Sequence, residues 1–223
     1  MKILALEFSS SERSAAVLAF ESDGPSLLRG EAFESGPRAV GAFAMIDSAL
    51  KQAQLEREQI ECLAVGIGPG SYTGIRGAIA LAQGWQLARG IHLLGISSVE
   101  CIAAEARSQG LLGRIGVVVD AQRGEFYLAG YEILPDSLRE VDPLRLATRD
   151  EVEACLQSGA TLVGPEAVKW FPTGRLVLPR ATTLASLAKE RKDFLPGEKM
   201  EPIYLRETQF VKAPVPRKIS FAP

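Results

Sequence analysis

A single histidine, His92, stands between Ile91 and Leu93 in an apolar stretch. A histidine-pair metal site cannot be built from it, and a Ser-His-Asp triad would have to rest on a residue inside a predicted strand, which argues against a peptidase. Cysteine is also scarce. Cys62, Cys101 and Cys155 lie far apart among apolar or helix-forming neighbours, so they read as small core hydrophobes of a reduced cytoplasm rather than ligands or a disulfide framework. There is no excess of positive charge: 25 basic residues face 27 acidic ones for a net charge of −2. Phosphate neutralisation needs clustered Lys and Arg, so any role with RNA is expected to be indirect. Nor does the start of the chain offer a long apolar run, because Ile3-Leu4-Ala5-Leu6 stops at Glu7. Neither a signal-peptide core nor a membrane span fits there, and a cytoplasmic protein is expected.

What is present is ordinary for a globular chain able to bury a core, with 47% hydrophobic and 23% charged residues. Lys2 to Phe8, Ser14 to Phe20 and Leu27 to Phe33 read as a three-stranded meander. A helical pattern from Arg38 to about Gln54 follows, then a buried strand over Cys62 to Ile67, a glycine-rich loop, a helix to about Arg89 and a strand over His92 to Ile96. Ser97 and Glu100 have capping-box spacing for a helix to about Ser108. The pattern then restarts. Ile115 to Val119 ends in Asp120 as the first strand ends in Glu7, and a polar turn leads to a second strand over Glu125 to Ile133. This repetition predicts a duplicated α/β architecture with one cleft between lobes. The second copy looks eroded, keeping a helix capped by Thr148 with Glu151, weak strands near Leu162 and Val177, and a helix near Thr183 to Arg191. Residues 1–109 are thus assigned to an N-terminal lobe, 110–205 to a reduced C-terminal lobe and 206–223 to an irregular tail.

The strongest local feature is the block from Gly66 to Gly77, GIGPGSYTGIRG, between a predicted strand and a helix. It is not a Walker loop, since Ile75 follows Gly74, and it is not the dinucleotide fingerprint, since Thr73 stands where a third glycine or alanine is needed. Gly68, Gly70 and Ser71 could present amides to an anion, or the glycines could serve close packing alone. Glu7 and Asp120, at the ends of the two leading strands, could hold magnesium-bound water in a cleft or could simply mark turns. These five are the candidate nucleotide-binding residues. No metal-ligand set and no catalytic residue are assigned.

The two long helices are broadly apolar. On the second, Gly74, Ala78, Leu81, Trp85 and Ala88 recur at four- and three-residue steps, and on the first Phe43 and Ile46 fall on more than one face. Either the helices are sandwiched inside the fold or their outer faces form a subunit interface. The second option places Phe43, Ile46, Gly74, Ala78, Leu81 and Trp85 at the contact, with Ala78 exposed in the isolated chain.

Val65 to Arg76 is similar to the signature of the TsaB family, also described as inactive glycoprotease-like proteins. Gly95-Ile96-Ser97-Ser98-Val99-Glu100, Val119 to Tyr127 and Pro202-Ile203-Tyr204-Leu205-Arg206 resemble three further family segments in the same order. The resemblance implies a two-lobed actin-like ATPase fold, duplicated and ribonuclease H-like, with a reduced second lobe. It implies a pseudo-enzyme that supports a catalytic TsaD-like subunit, with a TsaE-like ATPase in the same complex, in threonylcarbamoyladenosine modification of tRNA. A homodimer is implied for the chain alone, with no tightly bound cofactor and with ATP or ADP at the partner interface. Glu7-Phe8-Ser9 replaces the family's Asp-Thr-Ser-like start, and Pro37-Arg38-Ala39 replaces a His-Ser pair. A different reading of the same cleft is a small actin-like kinase, with Asp120 as base and the Gly66 to Gly74 loop as phosphate cradle.

Overall fold

The computed structural model describes residues 1–20, 27–36 and 41–205. The expected start of the first helix at Arg38 and the tail at 206–223 lie outside the described residues. Two five-stranded mixed sheets form the frame. The first contains β1 (Lys2–Glu7), β2 (Glu12–Ala19), β3 (Leu27–Ser35), β4 (Cys62–Gly66) and β5 (His92–Ile96), and the second contains β6 (Gly113–Asp120), β7 (Phe126–Ile133), β8 (Leu138–Ala147), β9 (Thr161–Gly164) and β10 (Arg175–Leu176). The spatial orders are β3-β2-β1-β4-β5 and β10-β9-β6-β7-β8. In each sheet the leading strand pairs antiparallel with the second and parallel with the fourth. The duplication expected from the repeated pattern is therefore present strand for strand.

Helices α1 (Ala42–Ala53) and α2 (Tyr72–Arg89) cover one face of the first sheet, and α6 (Ala181–Lys189) covers the other. Strand alternation explains how one run serves both. Leu4 and Leu6 meet α1 and α2, while Ile3 and Ala5 meet Ala181, Leu184, Ala185 and Ala188 of α6. In the second sheet Ile115, Val117 and Val119 pack on α3 (Ser98–Ser108), and Val118 faces the layer of α4 (Arg149–Gln157) and α5 (Ala167–Trp170). Helix α3 is shared. Its Val99, Ile102 and Ala106 enter the second core, while Cys101 enters the first. Thus α3, before the second sheet in sequence, lies on it, and α6, after it, lies back on the first sheet.

Three local expectations are corrected. Ser97 is the N-cap of α3, but its side chain makes no cap bond and instead donates to Gly68 O at 3.5 Å. Glu100 is drawn away by Arg191, whose Nη2 donates to both carboxylate oxygens at 2.6 and 2.5 Å. The Thr148–Glu151 box does form, with Thr148 N donating to Glu151 Oε2 at 2.7 Å. Second, β8 is an additional strand of ten residues that the sequence pattern hides, because it is mostly exposed, charged and interrupted by Pro143. Its register against β7 shifts beside Gly130, where the missing proline N–H is accommodated. Third, erosion of the second copy lies in its short elements, β9, β10 and the four-residue α5, rather than in strand number.

Candidate functional site

A cleft of about 840 Å³ opens between the lobes, lined by the β1–β2 turn at Ser9, Ser10 and Ser11, by Gly70, Ser71 and Tyr72, by Asp120 and by Glu166 and Lys169. Strands β1 and β6, one from each sheet, end at it, so Gly70, Ser71 and Asp120 are brought together as their sequence positions suggest. Glu7 and Gly68 are not on its lining.

Glu7 is fully buried. Its Oε1 accepts from Ser9 N at 2.8 Å and its Oε2 accepts from Ser98 Oγ at 3.1 Å, while that same hydroxyl accepts from Gly68 N at 3.2 Å. Burial raises the Glu7 carboxyl above the usual carboxylate range, and the Ser9 and Ser98 bonds oppose this. Space for the longer side chain comes from Gly66, where a Cβ would stand 1.9 Å from Glu7 Oε2.

The glycine block packs against the β1–β2 turn in the same way. A Cβ at Gly70 would lie 2.2 Å from Ser9 O, and one at Gly74 would lie 2.1 Å from Phe8 O. Ser71 N donates to Ser9 O at 2.7 Å, and Gly74 N donates to Ser71 Oγ, the N-cap of α2, at 3.4 Å. With Gly68 N held by Ser98, three amides that a phosphate cradle would aim outward are satisfied by the chain itself. Those three amides are held within the chain, and the glycines of the block answer to close backbone approach. Asp120 closes its own turn, accepting from Gln122 N at 2.7 Å, while Gln122 and Arg123 take left-handed φ values of 64° and 58°. His92 is exposed at a strand start and stacks on Phe194 with centroids 4.2 Å apart. The cysteines are free, and burial pushes the Cys62 thiol up to about 12, as suits an inert core residue.

The helical face is divided differently from the sequence reading. Phe43, Leu81 and Trp85 line one apolar groove of about 450 Å³ with Ala80 and Ala88. Phe43 is 62% exposed there, and nearby on α2 Leu87 is 91% exposed. Ile46 and Ala78 are instead buried in the first core, and Gly74 meets the β1–β2 turn. The expectation that Ala78 is exposed is thus overturned. At about 100° per residue Ala78 turns inward with Ile75, Ile79 and Ala82, while Leu81 and Trp85 lie at the edge of that stripe.

A family model described as TsaD, tRNA N6-adenosine threonylcarbamoyltransferase, matches residues 40–190. The tRNA threonylcarbamoyladenosine biosynthesis protein TsaB of Escherichia coli K12 is 27% identical over 181 residues, 73% of this chain and 78% of that protein. Its namesake in Haemophilus influenzae is 26% identical over 192 residues, 76% and 80% of the two chains. A crystal structure from Pseudomonas aeruginosa, described as an uncharacterized protein with similarity to peptidase YeaZ, superposes with a TM-score of 0.76 at 27% identity, covering 92% of this chain and 99% of that one. Two duplicated mixed sheets with helices between and around them are the two-lobed actin-like ATPase type of fold. By sequence, strand order and superposition, the chain belongs to the TsaB family, within reach of the wider TsaD family model.

Proposed function

We propose that this chain serves tRNA threonylcarbamoyladenosine biosynthesis as a non-catalytic partner of a TsaD-like enzyme. The names of its TsaB relatives support the pathway. The observation that carries the non-catalytic part is the closed glycine loop, because Glu7 and the amides of Gly68, Ser71 and Gly74 bond within the chain. Catalysis of phosphoryl transfer rests on donors held ready for developing charge, and here those donors already have partners. Partner binding falls to the groove of Phe43, Leu81 and Trp85, an apolar surface that a folded monomer gains nothing by exposing. A homodimer of the isolated chain would use the same groove and compete with the TsaD-like subunit.

In this reading a TsaE-like ATPase joins the complex, ATP or ADP lies at the junction with the partner rather than in the Gly68–Ser71 loop, and tRNA is held mainly by the assembly. The setting is cytoplasmic. Among the described residues no helix is long and apolar enough to cross a membrane. The test is turnover by the purified chain with ATP, magnesium and tRNA, alone and with a TsaD-like subunit. Modification is expected only in the mixture, and turnover by the lone chain that is lost in Asp120→Ala would favour the kinase reading instead.

A further inference from the structure

Two charged side chains on the lining of the interlobe cleft are left short of partners by the chain itself. Arg13 on β2 and Glu166 at the start of α5 both line it, one from each lobe. Arg13 stands opposite Glu34 in the β2–β3 register, and that carboxylate comes only to 3.9 Å from its Nη1. Arg13 Nε is buried with no hydrogen-bond partner among the described residues. Glu166 is the N-cap residue of α5 yet makes no side-chain cap bond, and its Oε2 is likewise buried without a partner. Burial raises the Glu166 carboxyl above the usual carboxylate range, with the Asp120 backbone opposing this and the Asp120 charge adding to it. Neither charge is needed to hold its element, because β2 is paired on both sides and α5 starts without the carboxylate. Buried polar atoms left in this state are costly and call for a partner from outside.

Other polar groups of the lining are already engaged. Ser71 Oγ caps α2, Asp120 Oδ1 accepts from Gln122 N, and Ser10 Oγ donates to Glu12 O at 2.7 Å. Lys169 holds its ammonium 4.7 Å from the centre of the Trp170 ring. The formal charges of the lining cancel, Arg13 and Lys169 standing against Asp120 and Glu166. A nucleoside triphosphate would bring several negative charges to a wall that holds two carboxylates. A neutral molecule would leave both Arg13 and Glu166 as they are. A ligand with one anionic and one cationic group answers both, and Ile75, Val119, Tyr127 and Ile203 offer apolar contact for its body.

We propose that the cleft binds a free α-amino acid, its carboxylate paired with Arg13 and its ammonium with Glu166, so that the ligand ties one lobe to the other. This goes beyond the role in tRNA modification and does not rest on it. Asp120 is not assigned to the ligand, since its carboxylate closes its own turn.

Thermal melting of the full chain with each standard amino acid at about 10 mM, then isothermal titration calorimetry of those that raise the midpoint, tests this. At least one is expected to raise it. Its amide, which lacks the carboxylate, and its N-acetyl derivative, which lacks the ammonium, are each expected to bind the wild type at least about tenfold more weakly. The parent amino acid is expected to lose at least about as much affinity for Glu166→Gln and for Arg13→Gln. The two derivatives use unaltered protein, so they decide the question whether or not Arg13→Gln folds. An unshifted midpoint with every amino acid would overturn the proposal and leave water as the partner of these atoms. Equal binding of the amide or the N-acetyl form, or unchanged affinity in Glu166→Gln, would also overturn it. A shift with ATP and magnesium but with no amino acid would return the cleft to a nucleotide.

Discussion

Glu7 is buried beneath the glycine block rather than placed on the cleft lining. Its carboxyl is longer than the family's Asp-like start, and the absence of a Cβ at Gly66 lets it reach Ser98 beneath the glycine block. Because burial raises it from an ordinary value of 4.5, the folded chain holds that proton more tightly than the unfolded chain does. Stability from this group is accordingly greatest at low pH and declines as pH rises from 4.5 through the raised folded value. Glu7→Gln should remove that decline and melt at or above the wild type at pH 8, as followed by circular dichroism across pH 4–9; parallel curves for the two proteins would contradict it. Ala78 gives the opposite lesson. One of the two sequence readings put it on an interface, but a carboxylate buried among the apolar residues of the first core should cost several kcal/mol, so Ala78→Glu is expected to lose cooperative melting rather than merely partner binding. Retention of the wild-type melting curve would mean that Ala78 is reachable by solvent.

Helices and strands show what was legible and what was not. Apolar runs of strand length and the repeated strand-carboxylate-turn pattern revealed β1, β2, β6 and β7, because the middle of each strand is buried on both sheet faces. The exposed β8 left no such trace, since charged side chains and Pro143 mask a strand whose pairing with β7 comes from the tertiary fold. Apolar breadth of α1 and α2 was read correctly as excess, yet which residues form the outer face depended on a helix phase that only packing fixes. Phe43, Leu81 and Trp85 emerged, whereas Ile46 and Ala78 turned inward. The course of residues 195–205 along α2, the C-terminal strap, was not foreseen, because hydrogen bonds such as Gly197 N to Gln86 Oε1 join residues 111 apart in sequence. Gln86→Leu should free the strap and cost about 1–2 kcal/mol, since it leaves Gly197 N and the Ile91 carbonyl without their partner. Hydrogen exchange should then rise across 195–203, and unchanged protection there would sink this role for Gln86.

For the molecule as a whole, α3 and α6 set the relation between the lobes. They cross between the sheets, with Arg191 bonding both oxygens of Glu100 and the Glu105 carboxylate accepting from Thr183 and from Gln109 Nε2. The cleft thus keeps its actin-like outline while its glycine loop is filled from within, and the apolar groove on α1 and α2 faces outward on the first lobe. A subunit that acts by contact should depend on the groove and not on the cleft carboxylate. The most direct measurement is threonylcarbamoyladenosine in bulk tRNA from cells depleted of this chain and supplied with one variant at a time. Wild type and Asp120→Ala should both restore the modification, while Phe43→Glu, which alters a 62% exposed residue and should fold normally, should not. Restoration by Phe43→Glu together with failure by Asp120→Ala would contradict the account and place the chemistry in this chain.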